Sequence, residues 1–141
     1  MIDINNGDIR LTKKTLVIRK GLTIDEFAKS DLFEDVYKKD EYEYTRFFVG
    51  LQFIGENQFA VSLLFNPLGR LYSIHLKISI DGKMPSWDNW SEEGELRIKD
   101  MHDMWLKKNV GDPPYNYSWG TIYSTYDPRS ASSSMGVRFK N

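Results

Sequence analysis

The sequence predicts an α+β domain in which a single, mainly antiparallel sheet of about five or six strands carries two helices on one face. Three observations lead there. Between residues 45 and 80, apolar side chains recur at every second position in three successive series joined by short turn-forming segments, the pattern of adjacent antiparallel strands. Helix-start signals stand on either side of that block, at Thr23 and at Ser91. The chain has 141 residues, 40% hydrophobic and 14% aromatic, which suits one domain around one core. The expected order is β-α-β-β-β-α-β-β, with residues 1–141 forming a single domain.

Residues 8–20 place Ile9, Leu11, Leu16, Val17 and Ile18 among Thr, Lys and Arg, and read as one bent strand or a short pair. Gly21 ends it. Thr23 and Glu26 then have the spacing of a capping box, in which each side chain accepts the other residue's backbone amide, and Leu22 can pack on Phe27 as a hydrophobic staple. Asp25 and Glu26 also favour the positive end of the helix dipole. The helix is expected to begin at Ile24 and, after a break near Ser30-Asp31, to continue through Val36.

The three alternating series are Phe47, Val49, Leu51, Phe53; then Phe59, Val61, Leu63, Phe65; then Tyr72, Ile74, Leu76, Ile78, Ile80. Gly55-Glu56-Asn57 and Asn66-Pro67-Leu68-Gly69 connect them, and Asp81-Gly82 closes the third. A loop with Pro85, Trp87 and Trp90 leads to Ser91-Glu92-Glu93, where serine caps and acids occupy the first turn of a second helix. Ile98, Met101 and Trp105 form its apolar stripe, while Glu95, Lys99 and Asp103 read as a solvated edge. It ends near Asn109-Val110-Gly111, before Pro113-Pro114. Residues 119–126 and 135–140 are the last two strands, separated by a turn at Pro128 and a small polar run over 131–134.

Several function classes fall away on composition and motif. With no cysteine there is no disulfide, thiolate nucleophile or cysteine-ligated metal. HExxH, an EF-hand loop, GxxxxGK[ST], GxGxxG and GxSxG are all absent, so no metal, no cofactor and no catalytic residue is assigned. No run of 18 apolar residues suggests a membrane span, and the polar, acidic first residues do not read as a signal peptide, which makes the cytoplasm the expected compartment. The net charge of −1 hides segments of +3 (1–21), −5 (22–45), +2 (46–80), −4 (81–127) and +3 (128–141). No domain is basic enough to make nucleic acid the expected partner.

Three groups of residues stand out as candidates for binding. The first is aromatic: Trp87, Trp90, Tyr115, Tyr117 and Trp119, in or beside the two loops that bracket the second helix, where amphipathic rings can anchor a protein or stack on a sugar. The plainer reading is that they complete the core over the helix ends. The second is acidic: Asp31, Glu34, Asp35, Asp40, Glu41 and Glu43, suited to a basic partner or merely solvated. The third is the sheet face away from the apolar series, carrying Arg46, Gln52, Ser62, Ser73, His75 and Lys77 if the three registers agree. His75 and His102 are the only histidines. His75 is the candidate acid or base if the protein is an enzyme, and a solvated surface histidine otherwise. His102 and Asp103 point about 100° apart on a helix and form no ready dyad.

The C-terminal half contains Trp87-x-x-Trp90-Ser91-Glu92, Arg97, His102-Asp103, Trp105-Leu106 and Tyr117-x-Trp119-Gly120-x-Ile122-x-Ser124-x-Tyr126-Asp127-Pro128. Over residues 85–139 it resembles small bacterial proteins of the toxin-immunity kind. The resemblance implies a bacterial α+β protein that acts by binding, and it transfers no site residues. The leading expectation is a non-catalytic inhibitor that occludes a toxin's active site, with a basic toxin domain as its partner. The alternatives are a small-ligand or carbohydrate binder using the loop aromatics, and an enzyme using His75.

Overall fold

A computed structural model describes residues 1–140. The N-terminal stretch forms the short pair β1 (Ile9–Arg10) and β2 (Val17–Ile18), whose Ile9 and Ile18 are fully buried. The expected capping box is present at Thr23, and α1 (Ile24–Ala28) breaks before a 3-10 turn over Asp31–Asp35. There follow β3 (Lys38–Glu41), β4 (Thr45–Ile54), β5 (Asn57–Phe65), β6 (Leu71–Ile78), α2 (Glu92–Asn109), β7 (Asn116–Tyr117), β8 (Gly120–Asp127) and β9 (Ser132–Phe139).

The last seven strands make one antiparallel sheet in the order β3-β4-β5-β6-β9-β8-β7. Both helices lie on the same face of it. Along β5, Phe59 and Phe65 point to one side by the period of two; Trp105 of α2 meets Phe59 at 5.1 Å, and Phe27 of α1 meets Phe65 at 5.7 Å between ring centroids. The core is this helix-bearing side, with Leu32, Leu63, Ile74, Leu106 and Met135 also fully enclosed. Burying each such side chain contributes about 1.5 to 3 kcal/mol before chain entropy is set against it.

Two strands exceed the expected number. β3 consists of Lys38-Lys39-Asp40-Glu41, a composition poor in strand preference, and it forms because β4 offers a long edge in register. As the outer strand it presents charges rather than apolar surface, which discourages pairing with other chains. β7 is only two residues long. The run at 131–134, expected to be loop, instead begins β9, where Ser132, Ser133 and Ser134 pair with Asp127, Tyr126 and Thr125.

The register of β4 also departs from the expected one. Gly50, at φ +74°, lies in a bulge between Phe48 and Gly50 that leaves Val49 unpaired. Left-handed backbone favours glycine, and one extra residue exchanges the two faces of the strand beyond it. Leu51 and Phe53 therefore turn away from the helices, while Gln52 and Ile54 turn toward them and are buried.

Candidate functional site

The most distinctive local geometry is a split in the sheet. β6 and β9 pair only from Ser73↔Arg138 to Leu76↔Met135; the same register carried further would join Ile78 to Ser133. It does not, and α2 supplies the missing partners. The Ile78 amide donates to His102 Nε2 at 3.0 Å, and the Ser133 amide donates to Glu95 Oε1 at 3.0 Å. The Ser133 hydroxyl donates to the Glu95 carbonyl, and Lys77 Nζ donates to Glu95 Oε1, both at 2.5 Å.

Glu95 and His102 thus belong to the buried stripe of α2 together with Ile98, Trp105 and Leu106. The expectation of Glu95 as part of a solvated edge is corrected: it is 5% exposed, since buried strand amides require acceptors. Met101 of the expected stripe is only half-buried. His102 is fully buried, and its Nδ1 has no protein partner. With Nε2 accepting, the proton of the neutral ring resides on Nδ1. Burial, followed by the charge of Lys77, lowers the pKa of His102 to about 4.

Beyond the split opens a cleft of about 510 Å³, with the Lys77–Glu95 pair at its base and Met84, Trp87 and Trp90 among its walls. Trp87 is 82% exposed and Trp90 41%. Their rings lie 6.0 Å apart, and the Trp90 indole N–H donates to the Ala131 carbonyl.

The five candidate aromatics do not form one surface. Tyr115, Tyr117 and Trp119 sit at the other end of the β8–β9 hairpin from the Ala131 turn. Trp119 is buried, stacked on Tyr117 at 5.0 Å, and donates its indole N–H to the Ile4 carbonyl. The Tyr115 hydroxyl donates to the Gly111 carbonyl. This trio closes the core, as the plainer reading of the aromatics has it.

The acidic candidates divide as well. Asp31 accepts the amides of Thr15 and Leu16, which hold its carboxyl below the usual range. Asp35 pairs with Lys14 at 2.8 Å and accepts from Gln52 Nε2; bonds from these two likewise lower its pKa. Both carboxylates therefore tie the N-terminal strand pair and β4 to the 3-10 turn. Asp40 and Glu41 lie on β3 opposite Arg46 and Thr45 of β4 and pair along their own strand with Lys38 and Lys39, leaving Glu34 and Glu43 exposed with no ion pair among the described residues.

On the helix-free face, three of the expected residues need correction. Gln52 is 5% exposed and points to the helix side, because of the Gly50 bulge, where it donates to Asp35 and to the Val49 carbonyl. Lys77 reaches through the split to Glu95 and is not free. Ser73, with Ser62, does face away from the helices but is buried between longer neighbours. Arg46 donates to the Ser62 hydroxyl at 2.8 Å. His75 lies beside Ser62 on one strand and Gly136 on the other. Burial, then the charges of Arg46 and Lys77, lowers the pKa of His75 to about 4. No carboxylate bonds to it among the described residues, so no acid–base pair is formed there.

Tyr123 lies across Gly136, and the Arg138 guanidinium sits over the Tyr123 ring at 5.2 Å. A methyl group at Gly136 would fall 2.1 Å from the Ile74 carbonyl oxygen and 2.6 Å from the Tyr123 hydroxyl. Gly136→Ala is therefore expected to lower stability by about 1 to 3 kcal/mol. An unchanged midpoint in urea denaturation would contradict that close packing.

Among the described residues no helix is long and apolar enough to cross a membrane, and no group of three or more acidic or histidine side chains is arranged to hold a metal ion. No family model matches the chain, and no curated protein matches it in sequence. Among solved structures, a chain of the complex described as Rhs1-CT in complex with cognate immunity protein RhsI1 is similar in fold. The TM-score is 0.59 at 14% identity, and the match covers 99% of this chain and 86% of that one.

Proposed function

We propose that this chain is an immunity-type protein that binds and neutralises a bacterial toxin domain without catalysing a reaction. The observation that carries the reading is the likeness of fold, along 99% of the chain, to a component of a toxin–immunity complex. The expected bacterial source and cytoplasmic site of action belong to the same proposal. Recognition at this level is a property of surfaces and not of the fold, so the partner itself has to be found by experiment.

The test is protection. A toxin C-terminal domain encoded beside this gene is expressed from an inducible promoter, with and without the chain. Restored growth together with a stoichiometric complex on size-exclusion chromatography is the expected result. Growth arrest that the chain leaves untouched, for every such neighbouring domain, would reject the reading.

The cleft supports a second reading, a small-ligand or carbohydrate binder, because Trp87 and Trp90 expose ring surface at its mouth. Its signature is glycan-array binding that disappears in Trp87→Ala. Trp119→Ala does not separate the readings, since Trp119 is buried.

A further inference from the structure

We propose that the helix-free face of the sheet is the docking surface, and that the partner meets it with a carboxylate-bearing protein segment. The proposal rests on the immunity reading for the partner's identity, and on the charge of this face for the partner's chemistry.

The face has a small-residue floor and cationic walls. Asp40, Arg46, Leu64, Ser73, Arg138 and Thr121 stand in one row across β3, β4, β5, β6, β9 and β8, directly opposite one another from strand to strand, so that the acid lies at the sheet edge outside Arg46. Three strand spacings of about 4.8 Å place the two arginines about 14 Å apart. Between them Ser62, Ser73 and Gly136 form the floor of a shallow trough, and Tyr123 and Arg138 form one wall. Neither Arg46 nor Arg138 has a carboxylate partner among the described residues: Arg46 is bonded to the Ser62 hydroxyl, and Arg138 lies over Tyr123. His75 in the same trough is neutral at pH 7.

This arrangement reverses the electrostatics expected from the sequence. Asp31 and Asp35 are spent on internal bonds, and the broad open face presents two guanidinium groups without an ion-pair partner among the described residues, Asp40 standing at the edge beyond Arg46. A guanidinium fork matches a carboxylate with two parallel hydrogen bonds, and the flanking tyrosine adds apolar contact at small entropic cost. Two cations are too few to follow a phosphate backbone, whose binding grows with the number of phosphates neutralised, and the chain as a whole is slightly acidic. An acidic protein segment is therefore the occupant that fits.

The test has two arms. In the first, the isotopically labelled protein alone is titrated at low salt with hexaglutamate, with hexalysine and a six-nucleotide single-stranded DNA as comparisons. Hexaglutamate is expected to shift the amides of Arg46, Ser62, His75, Gly136 and Arg138. Those shifts should weaken at least tenfold in Arg46→Gln/Arg138→Gln and survive in Arg46→Lys/Arg138→Lys, which keeps the charge if the glutamine variant packs poorly. Shifts located elsewhere, preference for the DNA, or self-association of the protein through this face would overturn the proposal and leave the immunity reading untouched.

In the second arm, the same variants enter the protection assay. Arg46→Gln/Arg138→Gln is expected to need at least tenfold more protein for equal growth, whereas Lys107→Gln/Lys108→Gln, with the same charge change on α2, should protect as the parent does. Full protection by the arginine variant would overturn the docking face while the reading stands. Failure of the parent protein to protect would remove the reading, and the proposal's partner with it.

Discussion

Replacing Glu95 with alanine is expected to lower the stability of the protein by about 3 to 5 kcal/mol, the range for breaking a buried ion pair from one side. Two groups lose their acceptor at once, the Lys77 ammonium and the Ser133 amide, while the Ser133 hydroxyl keeps the backbone carbonyl of residue 95. Lys77→Met leaves the Glu95 carboxylate buried without its cation and should be comparably damaging. The double variant Lys77→Met/Glu95→Gln keeps an oxygen for the Ser133 amide and removes both charges, so it should recover most of the loss. Urea denaturation of the parent, Lys77→Met, Glu95→Gln and the double variant measures the coupling, expected at about 1 to 3 kcal/mol. Single variants that each cost under about 1 kcal/mol and add without coupling would mean that Glu95 does not hold the split together.

His102 has the second largest expected effect. His102→Ala removes the acceptor of a buried strand amide and leaves a hole under α2, a combined loss of about 3 to 4 kcal/mol. Its pH signature separates it from an ordinary core residue. The folded-state pKa is lowered from the unfolded value of 6.5 to about 4, so between those values the unfolded chain binds the proton more readily than the folded one. The stability contributed by the neutral ring is complete above pH 6.5 and is lost as pH falls toward 4, by about 3 kcal/mol in all. His75 titrates over the same window, so the parent protein should take up two protons on unfolding there. His102→Gln, which can still present an oxygen to Ile78, should take up one. Asp31 and Asp35, with pKa values already below the ordinary carboxylate range, withdraw their support only at lower pH. Identical pH slopes for the parent and His102→Gln would refute the assignment.

Much of the fold is legible in the sequence because the information is local. The capping box at Thr23, the turn residues at Asn66-Pro67-Leu68-Gly69 and the alternation along β5 and β6 each act within a few positions. What escaped depends on partners far away in the chain. β3 is charged throughout and exists because β4 pairs with it. Glu95 and His102 follow the helical spacing of Ile98 and Trp105, yet only the parting of β6 from β9 gives those polar groups a reason to be buried. Gly50 did carry a signal, since an isolated glycine inside an alternating strand marks a bulge. Reading it would have moved Gln52 to the helix side and Leu51 to the open face. The arginine row was half visible: Arg46 could be placed on the open face, but Arg138 joins it only when β9 lies against β6.

The position of the split also bears on the order in which the molecule assembles. β4, β5 and β6 are joined by short turns, so their pairings close small loops and can form early. The seam between Leu76 and Met135 closes a loop of roughly sixty residues, at a larger entropic cost, and α2 lies inside that loop. Glu95 can find the Ser133 amide only after the ends have met, whereas the Ile78 amide, on β6, is within reach of His102 without β9. The Glu95–Ser133 contact is therefore expected to form late, so that its loss should speed unfolding more than it slows folding.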